Sequence, residues 1–127
     1  MREIATDNAP TSIGPYSQAI EANGFLFVSG QGAAEPETRE IVSDDITEQA
    51  EQVFENITAI LNAAGASTDD VVKATVFLTD IDNYEAVNEV YAEYMNEPFP
   101  ARSAVQVSDL PIDIGVEIEV IAVAPEE

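Results

Sequence analysis

Residues 71–79 read Val-Val-Lys-Ala-Thr-Val-Phe-Leu-Thr, a run rich in β-branched and aromatic side chains that favours extended backbone. Successive side chains of a strand point to opposite faces. Val72, Ala74, Val76 and Leu78 are therefore expected on one face, with Thr75 and Phe77 on the other. A strand that is apolar on both sides belongs to a sheet that must be covered twice. One cover is present in the chain. Ile46, Ala50, Val53, Phe54, Ile57, Ile60, Leu61 and Ala64 recur at helical spacing, with Asp44 or Asp45 available as N-cap and Gly65 as the left-handed residue that ends the run. Such a helix is about 30 Å long, enough to cross a small sheet. A second helix begins near Asp82 and carries Tyr84, Val87, Val90, Tyr91, Tyr94 and Met95 along one side, until Pro98 and Pro100 stop it. The second cover is not in the pattern. Association of several copies is the simplest way to hide the remaining face, and an apolar ligand groove is the alternative.

The other elements follow from turn chemistry. Asn23-Gly24, between two apolar runs in 17–29, predicts a hairpin, because a type I′ turn needs positive φ at both central positions. A loop with Pro36 and the polar run 37–40 follows. Strands are predicted at 101–107 and 115–124, joined by a turn over 109–113, and a short N-terminal strand at 3–5. The order is then β-β-β-α-β-α-β-β, an α+β chain with a mixed sheet of about six strands and two helices on one face. At 127 residues it is read as one domain, 1–127, able to bury a core without staples.

Composition narrows the chemistry. Against 25 acidic residues stand four basic ones, Arg2, Arg39, Lys73 and Arg102, for a net charge of −21; there is no His and no Cys. Disulfides, thiol catalysis, structural zinc sites and Ser-His-Asp triads are thereby excluded. Nucleic-acid binding, which draws on clustered Lys and Arg, is not expected. Self-repulsion at −21 fades where salt shortens the Debye length to about 3 Å at 1 M, so a halophilic setting suits the chain, although a simply acidic mesophilic protein fits as well. No stretch approaches the ~20 apolar residues of a membrane span, and the first thirty residues have no basic segment leading into an apolar one. The expectation is a soluble, cytoplasmic chain.

The distribution of the acids says more than their number. None occurs in 8–20, 22–34 or 98–108. The last window holds a guanidinium, Arg102, among small and apolar residues, where core packing explains the absence of acid poorly. Arg presents a planar fork of donors that matches a carboxylate bidentately; the alternative is a salt bridge to one of the 25 acids. In Val116-Glu117-Ile118-Glu119-Val120-Ile121 the period of two puts Glu117 and Glu119 on one face with Ile121 and Val123. Near a sheet edge they would form a solvated rim. In a cleft, one of them would serve as general base, the role a carboxylate takes over where His and Cys are absent. Gly30-Gln31-Gly32 lacks the third glycine of a dinucleotide loop and no helix opens on it, so it reads as close backbone approach or a bend.

At these residues the chain resembles the Rid family (YjgF-type) of small enamine/imine deaminases. The resemblance spans nearly the whole chain and is most specific over Pro100-Ala101-Arg102-Ser103-Ala104-Val105, Leu110 and Val116-Glu117-Ile118. Asn8-Ala9-Pro10, Ile13-Gly14-Pro15-Tyr16-Ser17-Gln18, Ser29-Gly30-Gln31, residues 73–80 and Val87-Asn88 also match. The resemblance implies a chorismate-mutase-like fold, assembled as a homotrimer whose sheets close a central barrel, with sites between subunits and no cofactor. It implies hydrolysis of 2-aminoacrylate/2-iminopropanoate and 2-iminobutanoate to 2-keto acids and ammonia. Arg102 would hold the carboxylate of this small anionic substrate, and Glu117 would orient the attacking water and take its proton. Tyr16, Ser29, Gly30 and Asn88 match positions lining the family's pocket. An imine is already electrophilic, so positioning and modest base catalysis suffice without a metal. Two departures stand out: Ala104 replaces a common Cys, which leaves room in the pocket, and Thr38-Arg39 replaces a common Thr-Gly. A non-catalytic small-molecule-binding or chaperone-like module is the alternative reading. RNA cleavage or translation inhibition, linked to some relatives, suits four cations against 25 acids least.

Overall fold

The computed structural model describes residues 1–126; Glu127, the end of the expected domain, lies outside them. The chain runs β1 (Arg2–Ile4), β2 (Ala19–Ala22), β3 (Phe25–Gln31), α1 (Ile46–Ala63), β4 (Val71–Leu78), α2 (Tyr84–Tyr94), β5 (Ala101–Gln106) and β6 (Val116–Val123). Short 3-10 turns at Thr68–Asp70 and Ile81–Asn83 lead into β4 and α2 respectively. The element order is the expected one, and the sheet is mixed: β4 and β5 are parallel and every other pair is antiparallel.

The local signals act as the sequence predicts. Asn23 and Gly24 take φ of 53° and 83° and close the β2–β3 hairpin. Asp45 caps α1, its carboxylate accepting from the Glu48 amide at 3.0 Å, and Gly65 (φ 81°) follows the helix end. One face of the sheet packs under both helices. Leu26 and Val28 of β3, Ala74, Val76 and Leu78 of β4, and Val116, Ile118, Val120 and Ala122 of β6 are buried with Val53, Phe54, Ile57, Ile60 and Leu61 of α1 and Val87, Val90 and Tyr91 of α2. Phe54 joins the helices, stacking on Tyr94 at 5.0 Å and meeting Tyr91 edge-on at 5.7 Å.

Two details differ from expectation. The sheet order is β1-β2-β3-β6-β4-β5, so β6, with Glu117 and Glu119, is an inner strand and not an edge. Its alternation of acid and aliphatic residues records one covered and one uncovered face. And Val72 does not share the core face with Ala74. The β4–β6 register shifts between Val71 and Lys73, which turns Val71 inward (6% exposed) and leaves Val72 outside (41%).

The second face is open in a single chain. Phe27 lies opposite Ile121, Phe25 opposite Val123, and Phe77 between Glu117 and Val105. Phe25, Phe27, Val105 and Val123 are each 40–45% exposed. The two-sided apolar strand inferred from residues 71–79 is thus one row of an apolar sheet face that no helix covers.

Candidate functional site

All the expected site residues but Asn88 fall into two clefts. In the first, Arg102 on β5 lies opposite Ala74 of β4, which puts it on the helix-covered face. Its guanidinium donates to Tyr84 Oη at 2.9 Å and sits over two rings, 5.4 Å from the Tyr84 centroid and 4.7 Å from that of Tyr91. Among the described residues no carboxylate lies within ion-pair distance of it, so the salt-bridge alternative is not realised. Arg102, Ala104, Tyr84 and Ile81 line a cavity of about 570 Å³, with Asp82 and Glu85 also on its wall. Asn88 is half-buried on α2, one turn after Tyr84 and one turn before Tyr91. Tyr91 is buried and sits against the cation; burial raises its pKa and Arg102 opposes that rise.

In the second cleft, Glu117 of β6 lies opposite Phe77, on the uncovered face. β3 bulges between Val28 and Gln31, and the bulge brings Gly30 against Glu117. A Cβ at Gly30 would meet Glu117 Cδ at 2.8 Å, so glycine here serves close approach, as its sequence context suggests. Tyr16, Ser29, Gly30 and Glu117 line a cleft of about 630 Å³. Ser29 is held by its own donation to the Ser17 carbonyl at 2.6 Å, and Tyr16 Oη accepts from the Ile13 amide at 3.4 Å. Burial, and secondarily the charge of Glu119, raises the pKa of Glu117 above the ordinary glutamate value. A carboxyl so shifted is a better proton acceptor than an exposed one.

Arg102, Ala104 and Asn88 are therefore gathered on one side of the sheet, and Tyr16, Ser29, Gly30 and Glu117 on the other. One chain does not bring Arg102 and Glu117 together. Two residues escaped the sequence reading as site candidates. Helical spacing puts Tyr84 on the core side of its helix, whereas it stands at the first turn, 38% exposed, beside Arg102. Arg39 lines the Glu117 cleft, held by the Thr11 hydroxyl. It adopts φ 63°, a left-handed conformation that non-glycine residues seldom take. Among the described residues, no group of three or more His, Cys, Asp or Glu is placed to hold a metal ion.

The geometry defines an α+β domain in which, among the described residues, an arginine without a carboxylate partner lies in one cleft and a half-buried glutamate in another. The family model described as Endoribonuclease L-PSP matches residues 6–124. The chain is 57% identical over 123 residues to the RutC family protein PH0854 of Pyrococcus horikoshii, covering 96% of this chain and 98% of that one. It is 48% identical over 122 residues to a 2-iminobutanoate/2-iminopropanoate deaminase of Capra hircus, covering 96% and 89%. Among solved structures, RidA of an Antarctic Psychrobacter superposes with a TM-score of 0.93 at 48% identity, covering 97% and 99%. Escherichia coli TdcF with bound serine superposes at 0.92 and 42%, covering 98% and 100%. The chain belongs to the YjgF/Rid family, and its mixed sheet with two helices is that family's α+β fold.

Proposed function

We propose that this protein hydrolyses the reactive enamine/imine acids 2-aminoacrylate/2-iminopropanoate and 2-iminobutanoate to 2-keto acids and ammonia, at sites shared between copies of a homotrimer. The observation that carries the reading is Arg102: in a chain of net charge −21 it has a neutral phenol and two ring faces as partners, and no carboxylate among the described residues. A guanidinium kept in that state is suited to hold the carboxylate of a small acid. The relative with bound serine and the relative named as an imine deaminase support the same substrate class.

The enamine first tautomerises to the 2-imino acid. Water then adds to the imine carbon, and the carbinolamine collapses to a keto acid with loss of ammonia. Arg102 fixes the carboxylate and so the position of the adjacent carbon, while Glu117 takes a proton from water as the C–O bond forms and passes it to the imine nitrogen. Glu117 then relays the carbinolamine hydroxyl proton to the departing amine as the carbonyl forms and the C–N bond breaks. The two residues stand on opposite sheet faces, so a complete site takes Arg102 from one copy and Glu117 from another. Closure of the apolar faces around Phe27, Phe77 and Ile121 into a central barrel would bring copies together and cover that surface. The charge of −21 weighs against RNA as substrate. Among the described residues no helix is long and apolar enough to cross a membrane. The test is ammonia release from a threonine dehydratase mixture. Wild-type protein accelerates it and Arg102→Ala, folded by circular dichroism, does not; near-wild-type rates in that variant would sink the assignment.

A further inference from the structure

The partners of Arg102 carry a consequence beyond its binding role. Arg presents five N–H donors, and a carboxylate partner within the chain would occupy two of them and cancel the charge. Here one Nη2 is anchored on the Tyr84 hydroxyl at 2.9 Å, and the ring of Tyr91, 95% buried, lies 4.7 Å from Cζ. Tyr91 is itself packed against Phe54 in a T-shaped pair, with ring centroids 5.7 Å apart. The Tyr91 hydroxyl is buried and has no hydrogen-bond partner among the described residues, and Tyr91 meets Arg102 and Phe54 through its ring.

We propose that Tyr84 and Tyr91 form an aromatic clamp that positions Arg102 for a carboxylate without neutralising it, with Tyr84 also contributing its phenolic proton to the bound anion. Resting on the reaction proposed above, this identifies the groups that set substrate affinity. Three of its features follow from chemistry. Ring faces attract a cation while leaving its in-plane donors open. A phenol accepting from Arg102 still has its own proton to give, so the pair presents donors from two residues to one carboxylate. And both tyrosines lie on α2, so the arginine of β5 is set by the packing of a helix that Phe54 ties to α1.

Tyr84→Phe removes the hydroxyl alone and Tyr84→Leu removes the ring as well. Tyr84 is partly exposed, so both variants are expected to fold, which a thermal melt checks. Two measurements follow: the dissociation constant of 2-oxobutanoate by calorimetry, and KM and kcat for imine hydrolysis. Tyr84→Phe should raise both the dissociation constant and KM about fivefold, and Tyr84→Leu about tenfold or more, with kcat within about twofold. A purely structural role would instead lower the melting temperature and leave the affinity of the folded fraction unchanged. An independent readout is the 15N guanidinium spectrum, which this chain simplifies because its only arginines are Arg2, Arg39 and Arg102. The Arg102 signals should show slow rotation in wild type and fast rotation in Tyr84→Leu. Equal affinity in all three proteins, or free rotation of Arg102 in wild type, overturns the clamp. A wild type that binds 2-oxobutanoate with this Tyr84 dependence yet hydrolyses no imine upholds the clamp and overturns the reaction.

Discussion

Mixing two inactive variants tests the division of the site across the sheet. Arg102 is in register with Ala74 and faces the helices, whereas Glu117 is in register with Phe77 and faces away. Side chains on opposite faces of a sheet project away from each other with the backbone between them, so a three- or four-carbon imino acid cannot touch both residues of one chain through the sheet. Arg102→Ala and Glu117→Gln should each lose activity by at least ~100-fold, as expected when a positioning cation or a general base is removed. If each site takes Arg102 from one copy and Glu117 from another, co-refolding the variants in equal amounts restores some sites. A site is intact when its arginine comes from a Glu117→Gln chain and its glutamate from an Arg102→Ala chain. With random assembly that combination occurs with probability one half times one half, giving about a quarter of wild-type activity from closed symmetric oligomers. The assay is the initial rate of ammonia release, compared with the same proteins mixed after separate refolding. A co-refolded sample no more active than its parents would refute the shared site.

Four other outcomes are expected. The apparent KM for an anionic imino acid should fall as salt rises from 0.01 M to 1 M, because the Debye length shrinks from about 30 Å to about 3 Å and the repulsion of a −21 chain is screened; a KM that rises with salt contradicts this. The raised Glu117 pKa has a definite sign: the folded state holds this proton longer than the unfolded one, so stability is lost as pH rises from the ordinary glutamate value of 4.5 through the folded value. Glu117→Gln should therefore unfold at higher denaturant than wild type at pH 7, with the difference closing below that ordinary value. Gly30→Ala should cut the deamination rate at least ~10-fold with little change in melting temperature, since the new Cβ meets Glu117 Cδ at 2.8 Å and displaces a movable side chain. Phe54→Ala should destabilise the fold by about 3–5 kcal/mol in urea titration, as it empties a fully buried site between the helices.

The elements were legible in the sequence where the signal is local. Helical spacing together with Asp45 and Gly65 marked both ends of α1, and Asn23-Gly24 marked the hairpin, because caps and turns act over a few residues. The inner position of β6 was not legible. It depends on pairing with β3 and β4, at positions far away in the chain, and an acid-aliphatic alternation looks the same at an edge as on an inner strand with one open face. The bulge that turns Val72 outward is likewise a property of two strands. The same limit applies to the site. Parity along one strand shows that Glu117 and Glu119 share a face, but which face Arg102 takes relative to them follows only from the β4–β5 and β4–β6 registers. Tyr84 was missed because helical spacing assigns a side to the helix, not its neighbour at the first turn.

The four cations complete the electrostatic argument. Arg2 pairs with Glu21 at 2.6 Å. The other three are each held by a neutral hydroxyl, Arg39 by Thr11, Lys73 by Ser103 and Arg102 by Tyr84, and none has a carboxylate within ion-pair distance among the described residues. With 25 acids in the chain, intramolecular pairing could have neutralised all four cations; among the described residues it reaches Arg2. The acidic excess of −21 is the same however the cations are paired and is left for ions of the solvent to compensate, and its repulsion of an anion acts over many ångströms. The attraction of Arg102 for a carboxylate acts at contact, about 3 Å, in a cleft walled by aromatic rings. Salt removes the first far more completely than the second, because screening weakens interactions longer than the Debye length and spares partly buried contacts. A chain built this way should bind a small anion best in concentrated salt, where its strongly negative surface is screened and Arg102, with no carboxylate partner among the described residues, keeps its contact charge.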